Sequence, residues 1–218
     1  MNLRTDHTLV VMQIRFLSVN EIVADFENKI AEFYGAPYGV AVDCCTHGME
    51  LCLRRARLAG IQHIEIPCRT YLSVPMMTEK VGVSFDWIED EWKNYYYLGN
   101  TNIIDAAVFW ERDGYIPDTF MCLSFQFQKH LSLGRGGMIL TDNKDAALTL
   151  KKMSYDGRIP SVPWREQNVD TMGYHYYMTP ETAQLGLNKL GEAINTKPRE
   201  WTVTDWPDLR KMEIFNNE

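Results

Sequence analysis

YGVAVDCCTHGMEL, residues 38–51, changes its hydrophobic period partway along, and that change decides how the chain folds. Tyr38 to Asp43 is an apolar run of the length of a buried strand. Cys44, Cys45, Thr46, His47 and Gly48 make a turn, and Leu51, Leu53 and Ala56 continue at helical spacing. The reading is strand, turn, helix. Upstream, Ile22, Val23, Phe26, Ile30 and Phe33 fall on one helical face, which predicts a helix from Glu21 to Tyr34. Asn20 is its expected N-cap, and Gly35-Ala36-Pro37 ends it.

The same unit recurs downstream. Residues 64–67, IEIP, read as a strand leading to a short helix from about Val74 to Lys80, with Pro75 in its first turn. GVSFDW at 82–87, NIIDAA at 102–107, the run from Thr119 to Phe125 and Met138 to Thr141 read as further strands. Helices are expected from Asp145 to Tyr155 and from Pro180 to Ile194, the second capped by Thr179. Between them lies a loop of roughly twenty residues, long enough to carry function. Strands alternating with helices predict an α/β fold, a three-layer α/β/α sandwich whose mostly parallel central sheet is covered on both faces. The tail from Thr196 to Glu218 carries Trp201, Trp206 and Phe215 among charges, and is expected to pack along the surface or against a second subunit.

Composition narrows the function. The chain has 218 residues, 45% of them hydrophobic, as expected of a globular protein. The opening stretch MNLRTDHTLVVMQIRFLSVNE has only a short apolar run broken by Gln13 and Arg15, so neither a signal peptide nor a membrane anchor is expected. A net charge of -7 without a basic block argues against a nucleic-acid partner. Five cysteines, an odd number with no CxxC pair, read as reduced thiols and point to the cytoplasm. Cys44 and His47 have a spacing zinc accepts, but no second ligand pair follows, so no metal is expected.

Ser124 to Lys129, SFQFQK, followed by Gly134-Arg135-Gly136-Gly137, puts a lysine just beyond a strand end and before a glycine-rich turn. A lysine there can reach a ligand in the crevice outside an open sheet. Taken alone, it reads as a solvated loop lysine, since exposed lysine is the rule.

Several segments in this order resemble the DegT/StrS family of sugar aminotransferases, which have the fold type I architecture of aspartate aminotransferases. Cys44 to Met49 is similar to the family's S-G-T-x-A-L phosphate turn through Thr46. Pro67-Cys68-Arg69-Thr70-Tyr71 matches its P-x-x-T-aromatic segment, and Asp105-Ala106-Ala107 its E-D-A-A strand end. Ser124 to Lys129 keeps the serine-to-lysine spacing, Gly134 to Gly137 stands where G-E-G-G is usual, and Gly173 to Thr179 resembles G-Y-N-Y-R-M-T. The resemblance spans Phe26 to Leu190.

What it implies is a pyridoxal 5'-phosphate enzyme. Lys129 would hold the cofactor as a Schiff base and move a proton on the substrate. Asp105 would pair with the ring nitrogen, and Tyr71 would lie on the ring face. Thr46, Ser124 and the Cys45-Thr46-His47 turn would cradle the phosphate at a helix N-terminus. Other roles stay open at each position: Asp105 as a strand-end turn residue, Thr46 as a helix cap, Tyr71 as a core side chain. His175, which stands where an asparagine usually reaches a partner subunit's phosphate, is a further candidate, or a surface or interface histidine.

The chain also departs from the family. Val108 stands where a polar ring contact is usual, Arg135 replaces an acid, and Tyr177 replaces an arginine. The resemblance implies that residues 1–195 are the cofactor-binding large domain and that 196–218 are a short tail in place of the family's usual second, smaller domain. A symmetric homodimer is implied, because fold type I sites are generally completed across one. The expected reaction moves an amino group, typically from glutamate, to a keto sugar carried on a nucleotide. Decarboxylation or dehydration of a small amine or modified nucleotide is one alternative, and a non-catalytic binding remnant is the other.

Overall fold

The computed structural model describes residues 19–216. Residues 1–18, most of the stretch read above as neither signal peptide nor anchor, lie outside the described residues, as do 217 and 218.

Among the described residues, five α-helices and seven strands follow in the order α1 (Val19–Tyr34), β1 (Tyr38–Val42), α2 (Cys45–Leu58), β2 (His63–Pro67), α3 (Ser73–Val81), β3 (Ser84–Ile88), β4 (Tyr96–Tyr97), β5 (Ile103–Asp105), β6 (Phe120–Ser124), β7 (Gly137–Thr141), α4 (Lys144–Ser154) and α5 (Pro180–Asn195). Strand side chains point alternately to the two faces of a sheet, and both faces here are apolar. Phe120 and Cys122 of β6 join one core with α2, α3 and α4, while Met121 and Leu123 join a second with α1 and α5. Val40 and Ala41 of β1, and Ile139 and Leu140 of β7, divide in the same way. The result is the expected three-layer α/β/α arrangement.

The central sheet has the order β1-β7-β6-β5-β4 and is mixed. β6 runs parallel to β5, whereas β7 is antiparallel to both β1 and β6, and β4 is antiparallel to β5. Thus β1, β5 and β6 share one direction, and β2 and β3 form a separate parallel pair. The expected parallelism stops at β7 for a physical reason. Residues 125–136 join β6 to β7 without a crossover helix, and such a short return favours the antiparallel direction. That return carries Lys129.

Boundaries moved slightly. α1 is already helical at Val19, the first described residue, so Asn20 lies inside the helix and not at the N-cap position expected for it. Thr179 does cap α5, accepting from the Thr182 amide at 3.3 Å. The short β4 carries no periodic signal and was not expected. None of the described helices is long and apolar enough to cross a membrane.

The tail runs over the same sheet end as Lys129. The Leu209 amide donates to the Cys68 carbonyl at 2.8 Å, Leu209 is buried, and Arg69 Nη1 donates to the Trp206 carbonyl at 2.9 Å.

Candidate active site

A cavity of 330 Å³ opens where β5 and β6 end, between the first turns of α2 and α3 and the tail. Five of the sequence-predicted residues line it: Thr46, Tyr71, Asp105, Ser124 and Lys129. They come from four separate strand ends and turns, so only folding gathers them.

Lys129 is held from both sides. Its amide donates to Gln126 O at 2.8 Å, closing a turn after Ser124 and Phe125. His130 Nε2 lies 2.8 Å from the carbonyl of Ala193 in α5, and Leu131 and Leu133 are buried in the α1–α5 core. Lys129 Nζ sits over the rings of Trp201 and Trp206, at 5.4 and 5.6 Å. Burial pulls its amine below the usual lysine range, against the charge of Asp105. Such an amine is more readily unprotonated and nucleophilic.

Asp105 closes β5 and is 5% exposed. Burial raises its carboxyl above the usual range, while hydrogen bonds from Tyr96 and the Ala107 amide, with the Lys129 charge, pull it back. Tyr71 stands at the mouth, 55% exposed, with its ring edge-on to Trp206 at 5.9 Å. It is therefore not a core tyrosine. Val108 also lines the cavity, an apolar wall where the family has a polar group.

The turn expected to hold the phosphate opens α2. Cys44 is its N-cap and makes no side-chain cap bond, which leaves first-turn amides without a side-chain acceptor. Thr46 does not cap; its hydroxyl pairs with Ser73 at 2.7 Å, at the start of α3. Two helix N-termini thus meet beside Ser124. Gly137 at the start of β7 allows this, since a Cβ there would lie 2.6 Å from the backbone of Cys44 and Cys45.

His47 lies just outside the cavity, its ring stacked on Tyr176 at 3.6 Å. Burial disfavours charge on it, but the 2.6 Å bond to the Asp43 carboxylate, with the Cys44 side chain beside it, outweighs burial and raises the imidazole to about 9. It is a cation at neutral pH, one turn into a helix whose N-terminus is already positive. Arg135 Nη2 donates to the other Asp43 oxygen at 2.8 Å. Asp43, Cys44 and His47 offer ligand atoms within 4.8 Å of one another, yet both Asp43 oxygens are already held by His47 and Arg135. His175 does not join the cavity. It pairs with Asp156 at 3.2 Å and lines a separate outer pocket with Asp43 and Arg135.

Ser73 and Tyr96 line the cavity without having been singled out in sequence, and so does Trp206, which the sequence placed only along the surface or against a second subunit. Ser73 had a faint signal, a hydroxyl two residues after the matched Tyr71 at a helix start. Tyr96 had none.

The pieces fit pyridoxal phosphate: an amine of lowered basicity, a buried carboxylate, an aromatic face at the mouth and a positive, hydroxyl-lined turn. Comparison with known proteins agrees. The model of the DegT/DnrJ/EryC1/StrS aminotransferase family matches residues 4–92 and 114–203. Among solved structures, AtS13 from Actinomadura melliaura is similar with a TM-score of 0.67 at 19% identity, over 79% of this chain and 60% of that one. The sugar aminotransferase CalS13 from Micromonospora echinospora has a TM-score of 0.65 at 16% identity, over 79% and 60%. Spr1654 from Streptococcus pneumoniae, solved in a PLP form, has 0.64 at 17%, over 79% and 59%. The matched region thus spans about three-fifths of the length of these structures, and at such identities the likeness is one of fold. No curated protein matches the sequence.

Proposed function

Because this chain belongs to the DegT/DnrJ/EryC1/StrS aminotransferase family, we propose that it is a pyridoxal-phosphate-dependent aminotransferase that moves an amino group from glutamate to the keto group of a nucleotide-linked sugar. The observation that carries the reading is one cavity lined by Lys129, Asp105, Tyr71, Ser124 and Thr46.

When bound, the cofactor supplies an electron sink that makes a proton on the substrate carbon acidic. The chain's residues do the rest. Lys129 Nζ would hold the cofactor and, once the amino donor's nitrogen has displaced it there, would be free to take that proton and return it. Asp105 would hold a positive ring nitrogen by a charge-assisted contact. Tyr71 would cover one face of the ring. The hydroxyls of Thr46 and Ser124 and the first-turn amides of α2 would bind the phosphate, with the His47 cation adding attraction. Trp201 and Trp206 exclude water from the Lys129 side. His175, exposed on the outer side, is assigned to the phosphate of a second subunit in a symmetric homodimer. The five free cysteines suit a reducing compartment, the cytoplasm.

The test is absorbance of the protein purified with pyridoxal phosphate, beside Lys129→Ala. A visible band from lysine-linked cofactor, discharged by glutamate and absent from the variant, is expected, with 2-oxoglutarate formed on adding keto sugars. Loss of transfer in Lys129→Ala is expected to reach about 10²–10⁴-fold. Carbon dioxide release without transfer would move the reading to a decarboxylase, and absence of any band would overturn the cofactor.

A further inference from the structure

Both oxygens of Asp105 are engaged by protein donors. The Ala107 amide donates to Oδ1 at 3.0 Å, and the Tyr96 hydroxyl donates to Oδ2 at 2.6 Å. Tyr96 stands directly opposite Asp105 in the antiparallel register of β4 and β5, so backbone pairing sets this contact rather than a flexible loop. The Tyr96 ring is itself buried and packs on Trp92 at 5.3 Å. Its oxygen also meets the Thr70 hydroxyl in a short hydrogen bond. Since the Tyr96 hydrogen points at the carboxylate, Thr70 is the donor in that second bond. A directional chain thus runs from Thr70, next to the mouth residue Tyr71, through Tyr96 to Asp105.

We propose that Tyr96 is a positioning residue of this site, whose hydroxyl, oriented by Thr70, fixes the plane and the charge of the Asp105 carboxylate. The inference rests on the reading that Asp105 faces the cofactor's ring nitrogen, and its first test needs no cofactor. A carboxylate in dry surroundings takes a proton unless donors and cations hold it ionised. Around Asp105 the titratable groups are Tyr96 from β4, Cys45 from α2, Cys122 from β6 and Lys129 from the loop after β6. Burial keeps both thiols and the Tyr96 phenol protonated. Lys129 is therefore the single cation in this group, and Tyr96 is the one side-chain hydrogen bond on the carboxylate. Without it Asp105 becomes a neutral acid at a lower proton concentration and no longer holds a positive ring nitrogen.

The decisive experiment is a carbon-13 carboxyl titration of Asp105 in the full-length protein without cofactor, assigned with Asp105→Asn. Tyr96→Phe is expected to move the titration upward by about one to two pH units, the worth of one hydrogen bond to a charged group. Thr70→Val, which leaves the ring in place, is expected to move it the same way by less, and Thr70→Ser to restore it. With pyridoxal phosphate added, Tyr96→Phe should lower kcat about ten- to a hundred-fold with little change in KM, and shift the pH profile of the visible band. An unmoved Asp105 titration in folded Tyr96→Phe and Thr70→Val overturns the proposal; if Tyr96→Phe fails to fold, Thr70→Val alone decides. A moved titration without any Lys129-dependent band upholds the Tyr96–Asp105 coupling and overturns the cofactor reading.

Discussion

At the scale of single residues, the pair Asp43–His47 has a consequence that needs no ligand. His47 titrates near 9 in the folded chain against 6.5 ordinarily. A group whose proton is held more tightly when folded adds stability that is complete below its unfolded value and disappears as pH rises through the folded one. Thermal melts should therefore fall between pH 6.5 and about 9. Asp43→Asn should flatten that slope, because the imidazole then returns toward its ordinary value. The same substitution also frees Arg135, but that guanidinium is largely exposed and its ion pair adds little. A slope that persists unchanged in Asp43→Asn would mean another group is titrating.

At the scale of elements, α5 packs on α1 through a glycine. A Cβ on Gly186 would lie 2.4 Å from the Phe26 ring, and Phe26 is fully buried with its edge on Phe125, just before the Lys129 loop. Alanine gains up to about 1 kcal/mol of helix propensity, but overpacking a dense core costs roughly 1–3 kcal/mol. The clash wins, so Gly186→Ala is expected to lower the unfolding free energy by about 1–2 kcal/mol. Gly191 sits on the same helix with nothing near its missing Cβ. Gly191→Ala should raise stability by about 0.5–1 kcal/mol. Denaturant melts of the two variants separate packing from propensity, and equal signs would refute the account. The sheet holds the same lesson about register: β5 is three residues long, yet its pairing with β4 sets Tyr96 against Asp105.

At the scale of the whole molecule, apolar side chains remain in the open. Tyr71 and Phe127 are exposed at the cavity, Leu72 and Met76 are exposed at the start of α3, and Trp164, Val169 and Met172 lie exposed on the long loop after α4. Large apolar groups left in water are the raw material of an interface. Sedimentation equilibrium is expected to return twice the 25.3 kDa chain mass, and a monomer at micromolar concentration would remove the assignment of His175 to a second subunit's phosphate. Cofactor binding should in turn raise the melting temperature, since a ligand held by the folded state alone stabilises it.

The amino-acid sequence alone determined most of the strand and helix segments, the two-sided burial of the sheet and, through its resemblance to a known family, the candidate roles of Lys129 and Asp105. These are local: hydrophobic period records which faces are buried, and a lysine after a strand end keeps its spacing to a serine whatever surrounds it. Only the tertiary structure decided the mixed direction of the sheet, the return of Trp201 and Trp206 to Lys129, and the Thr70–Tyr96–Asp105 chain. β4 is too short to carry a period, and Trp206 lies far along the chain from Lys129. Contacts of that kind depend on where separate elements end in space, and no local pattern of side chains encodes that.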